Sequence, residues 1–226
     1  MIKPALVCLL FGSLVYANTV QTSFVTAGPV VLVPGMGGDE AGPYMLNVDG
    51  QLVPAMCMDD FREVSGTWTS SVTPVGSSDL SQTVLGDTVS KNNGTMNEDG
   101  YIVTGAQVYE MEAYLFSQII QPGADRGDLQ LAGWALMDPN TMSNVNSSNN
   151  SAVQHDITAA YNAATNPNSG FNPANYEILS DINGNNQEFM TGVPEPSTLF
   201  LMGAGLVLAG GIRFWRRGHT ADGDDN

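Results

Sequence analysis

The stretch from Ser23 to Val75 has strand character. Ser23 to Gly35 reads as an extended segment, and Tyr44, Leu46 and Val48 mark an alternating strand. Asp49-Gly50 is a tight-turn pair, after which Leu52 and Val53 resume the pattern, so a hairpin is expected. Val64 to Val75 reads as one further strand or two. The period then changes from two to 3.6. Within Gln107–Ile120, Val108, Met111, Leu115 and Ile119 fall on one helix face, and Gly123 ends the run. A second helix is expected over Leu129–Met137, with Asp128 as its cap and Pro139 as its stop. Asn140 to Ser151 is a polar loop, and a weaker third helix covers Ala152–Ala164. Asn175 to Gly192 reads as two terminal strands around Asn183-Gly184, a pair suited to a type I′ turn. The fold class expected from this order is α+β, mostly a β sandwich or barrel, with a helical insertion around residues 105 to 165.

Both ends carry longer apolar runs. Lys3 precedes an apolar stretch from Ala5 to Tyr16, and Val15 and Ala17 place small residues before a cut, the pattern of a secretory signal peptide over residues 1–17. Cys8 leaves with it. At the other end, Leu199 to Ile212 is apolar or glycine throughout, followed by Phe214 and Trp215 and by Arg213, Arg216 and Arg217. About 20 apolar residues are needed to cross a bilayer, so a transmembrane helix is expected here with the arginines as its cytoplasmic stop. The expected organisation is a signal at 1–17, an exported body at 18–192, a membrane segment within 193–217 and an acidic cytoplasmic tail at 218–226.

Charge narrows the function. The 226 residues carry a net charge of −16 with seven Lys and Arg. Counterion release from phosphates needs a basic stripe, so a nucleic-acid partner is excluded. Only Arg62, Lys91 and Arg126 are cationic in the body. A hydrolase ranks low: G-x-S-x-G is missing, and the histidines available as bases are His155 and His219. Asp181, Asn183 and Asn185 take the first, third and fifth places of a calcium loop, but Asn186 stands where glycine is required and Gly192 where glutamate is required. A turn is the better reading, and neither a metal nor another cofactor is expected.

Two motifs resemble known families. Pro194-Glu195-Pro196, then Ser-Thr, the apolar run and the arginines, resemble the PEP-CTERM sorting signal. That resemblance implies an exosortase-type processing enzyme as partner, membrane attachment before processing, and then the cell surface or extracellular matrix. The tail GHTADGDDN after the arginines departs from the usual pattern.

Within the body, C-M-D-D-F at Cys57–Phe61, Trp68, Y-x-x-x-A-Y-L from Tyr109, and Q-L-A-G-W from Gln130 resemble the thioester domains of bacterial surface adhesins. Gly133 stands where a bulky apolar residue is usual, and Met56 where an aromatic often precedes the cysteine. The resemblance implies a bond between the Cys57 sulfur and the Gln130 side-chain carbonyl, formed with loss of ammonia. Trp68, Tyr109 and Trp134 would exclude water, and amine-bearing surface or matrix molecules would attack the bond. Such attachment is a single event, so no enzyme is expected. Read without the resemblance, Cys57 is a free cysteine of the kind usually buried and inert, and the protein a purely structural matrix component.

Overall fold

Six strands close a barrel around a core that holds Leu46, Trp68, Leu179 and Phe189. The computed structural model describes residues 19–27, 31–32, 40–60, 62–86, 96–98, 101–138, 141 and 150–193. The chain divides into two compact units, Met1–Gly192 and Val193–Asn226. In the first, the barrel strands are β1 (Thr19–Ala27), β4 (Tyr44–Val48), β5 (Gln51–Cys57), β6 (Thr67–Pro74), β9 (Tyr176–Asp181) and β10 (Phe189–Gly192). Their order around the barrel is β1-β4-β5-β10-β9-β6. All six pairings are antiparallel. Short ladders join β2 (Val31–Leu32) to β3 (Glu40–Ala41) and β7 (Met96–Glu98) to β8 (Tyr101–Val103).

β6 and β9 are neighbours although about a hundred residues separate them in sequence, so the intervening chain leaves and re-enters at one seam. Its three long helices among the described residues are α1 (Gly105–Ile119), α2 (Arg126–Met137) and α3 (Asn150–Thr165). The helices pack on one another, and α1 and α2 also rest on β5. α1 begins with a capping box: the Thr104 hydroxyl accepts the Gln107 N–H, and the Gln107 side chain accepts the Thr104 N–H. α2 starts earlier than its sequence suggests. Its cap is Asp125, and Asp128 sits in the first turn, where its charge faces the positive end of the helix dipole. The apolar face of α3 is narrow, with Val153, Ile157 and Ala160 buried.

The two hairpin turns differ. In the β4–β5 turn Asp49 has φ 48° and Gly50 φ 87°, the type I′ signature, and the Asn47 side chain accepts the Gly50 N–H at 2.8 Å. A Cβ on Gly50 would touch nothing, so Gly50→Ala costs backbone strain alone. Its expected cost is about 1–2 kcal/mol, read as a lower urea midpoint with unchanged slope. The β9–β10 connection corrects the expected I′ pair. Gly184 has φ 69°, but Asn183 does not share the positive φ. A longer loop forms instead around the Asp181 carboxylate, which accepts N–H groups from Asn183, Asn185 and Asn186 and the Asn186 side-chain amide. These four bonds outweigh partial burial and lower its pKa. The Asp181 carboxylate is thus committed to the loop itself.

Among the described residues no helix is long and apolar enough to cross a membrane. The expected signal segment and membrane helix lie outside those residues, as does the glycine-rich stretch Leu32–Gly38 beyond its first residue.

Candidate functional site

Cys57 ends β5, and Gln130 lies in the second turn of α2, 73 residues away in sequence. The fold brings them into contact. The Gln130 Nε2 donates to the Cys57 backbone carbonyl at 2.5 Å, and Gln130 Oε1 accepts the Gly42 N–H at 3.3 Å. This orientation of the carboxamide follows from chemistry, since a carbonyl can only accept and a backbone N–H can only donate. Both residues are fully buried. The Gly42 N–H points at the atom on which negative charge would develop if a nucleophile attacked the amide carbon, the role of an oxyanion-hole donor.

The sulfur is held as a thiol. Cys57 Sγ donates to the Asp59 carbonyl at 2.9 Å. Burial pushes its pKa well up and the charge of Asp59 adds to this. The Trp134 indole N–H works in the opposite direction from one helical turn past Gln130. That contact lies outside hydrogen-bond geometry, so the indole nitrogen has no full partner.

The three expected pocket aromatics are placed differently. Trp134 reaches the sulfur. Trp68 stacks on Phe189 with ring centroids 6.2 Å apart, and Phe189 is the cross-strand partner of Cys57. That places Trp68 one side chain away from Cys57. Tyr109 is buried, but its hydroxyl serves another centre, donating to Glu188 Oε2 at 2.7 Å and accepting the Leu85 N–H at 3.0 Å.

That second centre has no counterpart among the sequence expectations. Glu188 is fully buried, and its Oε1 accepts the Val84 N–H at 3.0 Å and the Ser180 hydroxyl. Burial raises its pKa to about 7; the bonds from Ser180, Val84 and Tyr109 pull back, and the charge of Asp59 adds to the rise. Its backbone joins it to the cysteine segment: Met58 N–H donates to the Glu188 carbonyl and Glu188 N–H to Asp59 Oδ2, each at 2.9 Å. Arg62 also reaches Asp59 Oδ2, at 3.2 Å. A third carboxyl, Glu112 on α1, is fully buried with neither oxygen hydrogen-bonded. The sequence held a signal for it, because position 112 follows Val108 by four and so falls on the inner face of α1. Among the described residues no group of His, Cys, Asp and Glu is arranged to hold a metal ion.

The sorting residues Pro194, Glu195, Pro196, Arg213, Arg216 and Arg217 lie outside the described residues. They are covered by a family comparison. Residues 192–217 match the PEP-CTERM protein-sorting motif. The chain is therefore an exported protein sorted by an exosortase to the cell surface or extracellular space, with its C-terminus associated with the membrane for processing. Comparison with curated proteins and with solved structures gives no match.

Proposed function

We propose that the body of this PEP-CTERM protein is a covalent adhesin, in which the Cys57 sulfur and the Gln130 side-chain carbonyl form an internal thioester. The observation that carries this reading is the clamped carboxamide: Gln130 is fixed by two backbone hydrogen bonds, to the Cys57 carbonyl and from the Gly42 N–H, with both Cys57 and Gln130 fully buried. Proximity can supply about 7–11 kcal/mol of a barrier once the sulfur turns from Asp59 to stand about 3–3.5 Å from the amide carbon. Formation joins sulfur to the amide carbon and releases ammonia. Attack by an amine on a surface or matrix molecule then frees the thiol and leaves Gln130 linked to that molecule. The body's scarcity of lysines, Lys91 alone in residues 18–192, limits attack by its own side chains.

Intact-mass measurement on the purified chain tests this. The expected mass is short by one ammonia, and Cys57→Ala restores it. Methylamine adds its own mass at Gln130 and returns a titratable thiol. A second reading, a structural matrix component with an inert cysteine, is favoured by the Cys57 hydrogen bond to Asp59 and by burial of the thiol. Full mass with a thiol that titrates only on unfolding selects that reading and removes the thioester.

A further inference from the structure

The buried carboxyl of Glu112 has no partner in the fold, yet room has been made for it. A Cβ built on Gly133 would stand 2.9 Å from Glu112 Oε2 and 3.3 Å from the Met56 methyl. Gly133 is thus the residue of α2 over which the carboxyl lies, between Gln130 and Trp134. Residues three apart on a helix are side-chain neighbours, about 5–6 Å between Cβ atoms. The carboxyl accordingly lies against the turn of α2 that carries Gln130, and its charge acts on the Cys57 thiol, but it stops short of hydrogen-bond contact with either group; catalytic hydrogen bonds of this kind tighten as the reacting groups close. Leaving a buried polar group unsatisfied is costly, and a helix loses stability with glycine in its interior. Neither feature helps the barrel stand.

We infer that Glu112 is the proton-transfer group for thioester formation, and that Gly133 is present to admit it. This rests on the thioester reading. As sulfur bonds to the amide carbon and the carbon–nitrogen bond breaks, one oxygen of the neutral carboxyl takes the thiol proton. The other oxygen gives its proton to the departing nitrogen, which leaves as ammonia. The carboxyl ends as it began, and no oxidant or reductant takes part. Gly42 N–H holds the carbonyl oxygen meanwhile. Burial, and then the charge of Glu188, keeps Glu112 protonated well above the usual carboxylate range, which is the form this exchange requires.

Cell-free synthesis of the full chain, followed by intact mass against time, tests the assignment. Glu112→Gln keeps the shape and cannot exchange protons, so ammonia loss is expected to slow by about 100-fold. In the wild type the rate should fall as pH rises through the titration of Glu112, and in Glu112→Gln that fall should vanish. Glu188, Asp59 and Cys57 titrate nearby in both proteins, so the difference isolates Glu112. α3 turns Val153, Ile157 and Ala160 inward, and Asp128 of α2 interacts with Asp156. Should Glu112→Gln fail to fold, the double variant Glu112→Met with Gly133→Ala fills the same space with apolar atoms and carries the same expectation. A wild type that never loses ammonia removes the thioester reading itself. A wild type that loses it, with either folded variant equally fast, overturns the role of Glu112 alone.

Discussion

Glu188→Ala is expected to destabilise the barrel by about 3–5 kcal/mol, a large part of the roughly 5–15 kcal/mol that holds a domain folded. The reason is what it strands. The Val84 N–H and the Tyr109 and Ser180 hydroxyls all donate to this one fully buried carboxyl. Each buried donor left without an acceptor costs about 1–3 kcal/mol. Tyr109 is anchored on α1 and Ser180 on β9, so the loss also loosens the helices from the barrel. Glu188→Gln keeps one acceptor oxygen and should cost less. Urea unfolding followed by circular dichroism measures both, and an unchanged midpoint in the alanine variant would show that the cluster contributes nothing.

Stability should also fall as pH rises from about 4.5 to about 8, with Glu188 alone contributing about 3 kcal/mol of the loss. The sign follows from proton counting. With its folded pKa near 7 and its ordinary value 4.5, the folded state binds more protons across this interval than the unfolded state. Its stabilisation is complete below the ordinary value and is lost as pH climbs through the folded one. Glu112, Asp59 and Glu177 are shifted up by burial as well, so they add in the same direction. Asp181 and Asp79 are shifted down and act only at lower pH, below the ordinary aspartate value of 3.8. Melting temperatures across this range, with Glu188→Gln as comparison, decide the matter. A flat wild-type profile, or a slope as steep in Glu188→Gln as in the wild type, contradicts the assignment.

The strands and helices were largely legible because their signals are local. Asp49-Gly50 marks its turn by the two residues that adopt positive φ, and the inner face of α1 repeats at 3.6. The β9–β10 turn was misread for a reason of the same kind. Asp181 offers its carboxylate to the following N–H groups, and that side-chain preference overrides the Asn-Gly pair. The strand pattern left a sandwich and a barrel both open, and the barrel formed because β6 finds β9 across the whole helical excursion. The candidate site was legible only in part. Cys57, Gln130 and Trp134 carried a motif, and helical spacing puts Glu112 on the inner face of α1, while Gly42 and Glu188 matter by position in space, which spacing along the chain does not encode.

The place where the sorting motif joins the barrel has a mechanical consequence. β10 ends at Gly192, where the matched sorting region begins, and it is laddered on one side to β5 and on the other to β9. A pull along the tail loads an interior strand, so two rows of hydrogen bonds must shear together instead of one edge unzipping. The strand taking that load is also the neighbour of the one bearing Cys57, which puts the tail's point of attachment and that cysteine on adjoining staves of the same cask.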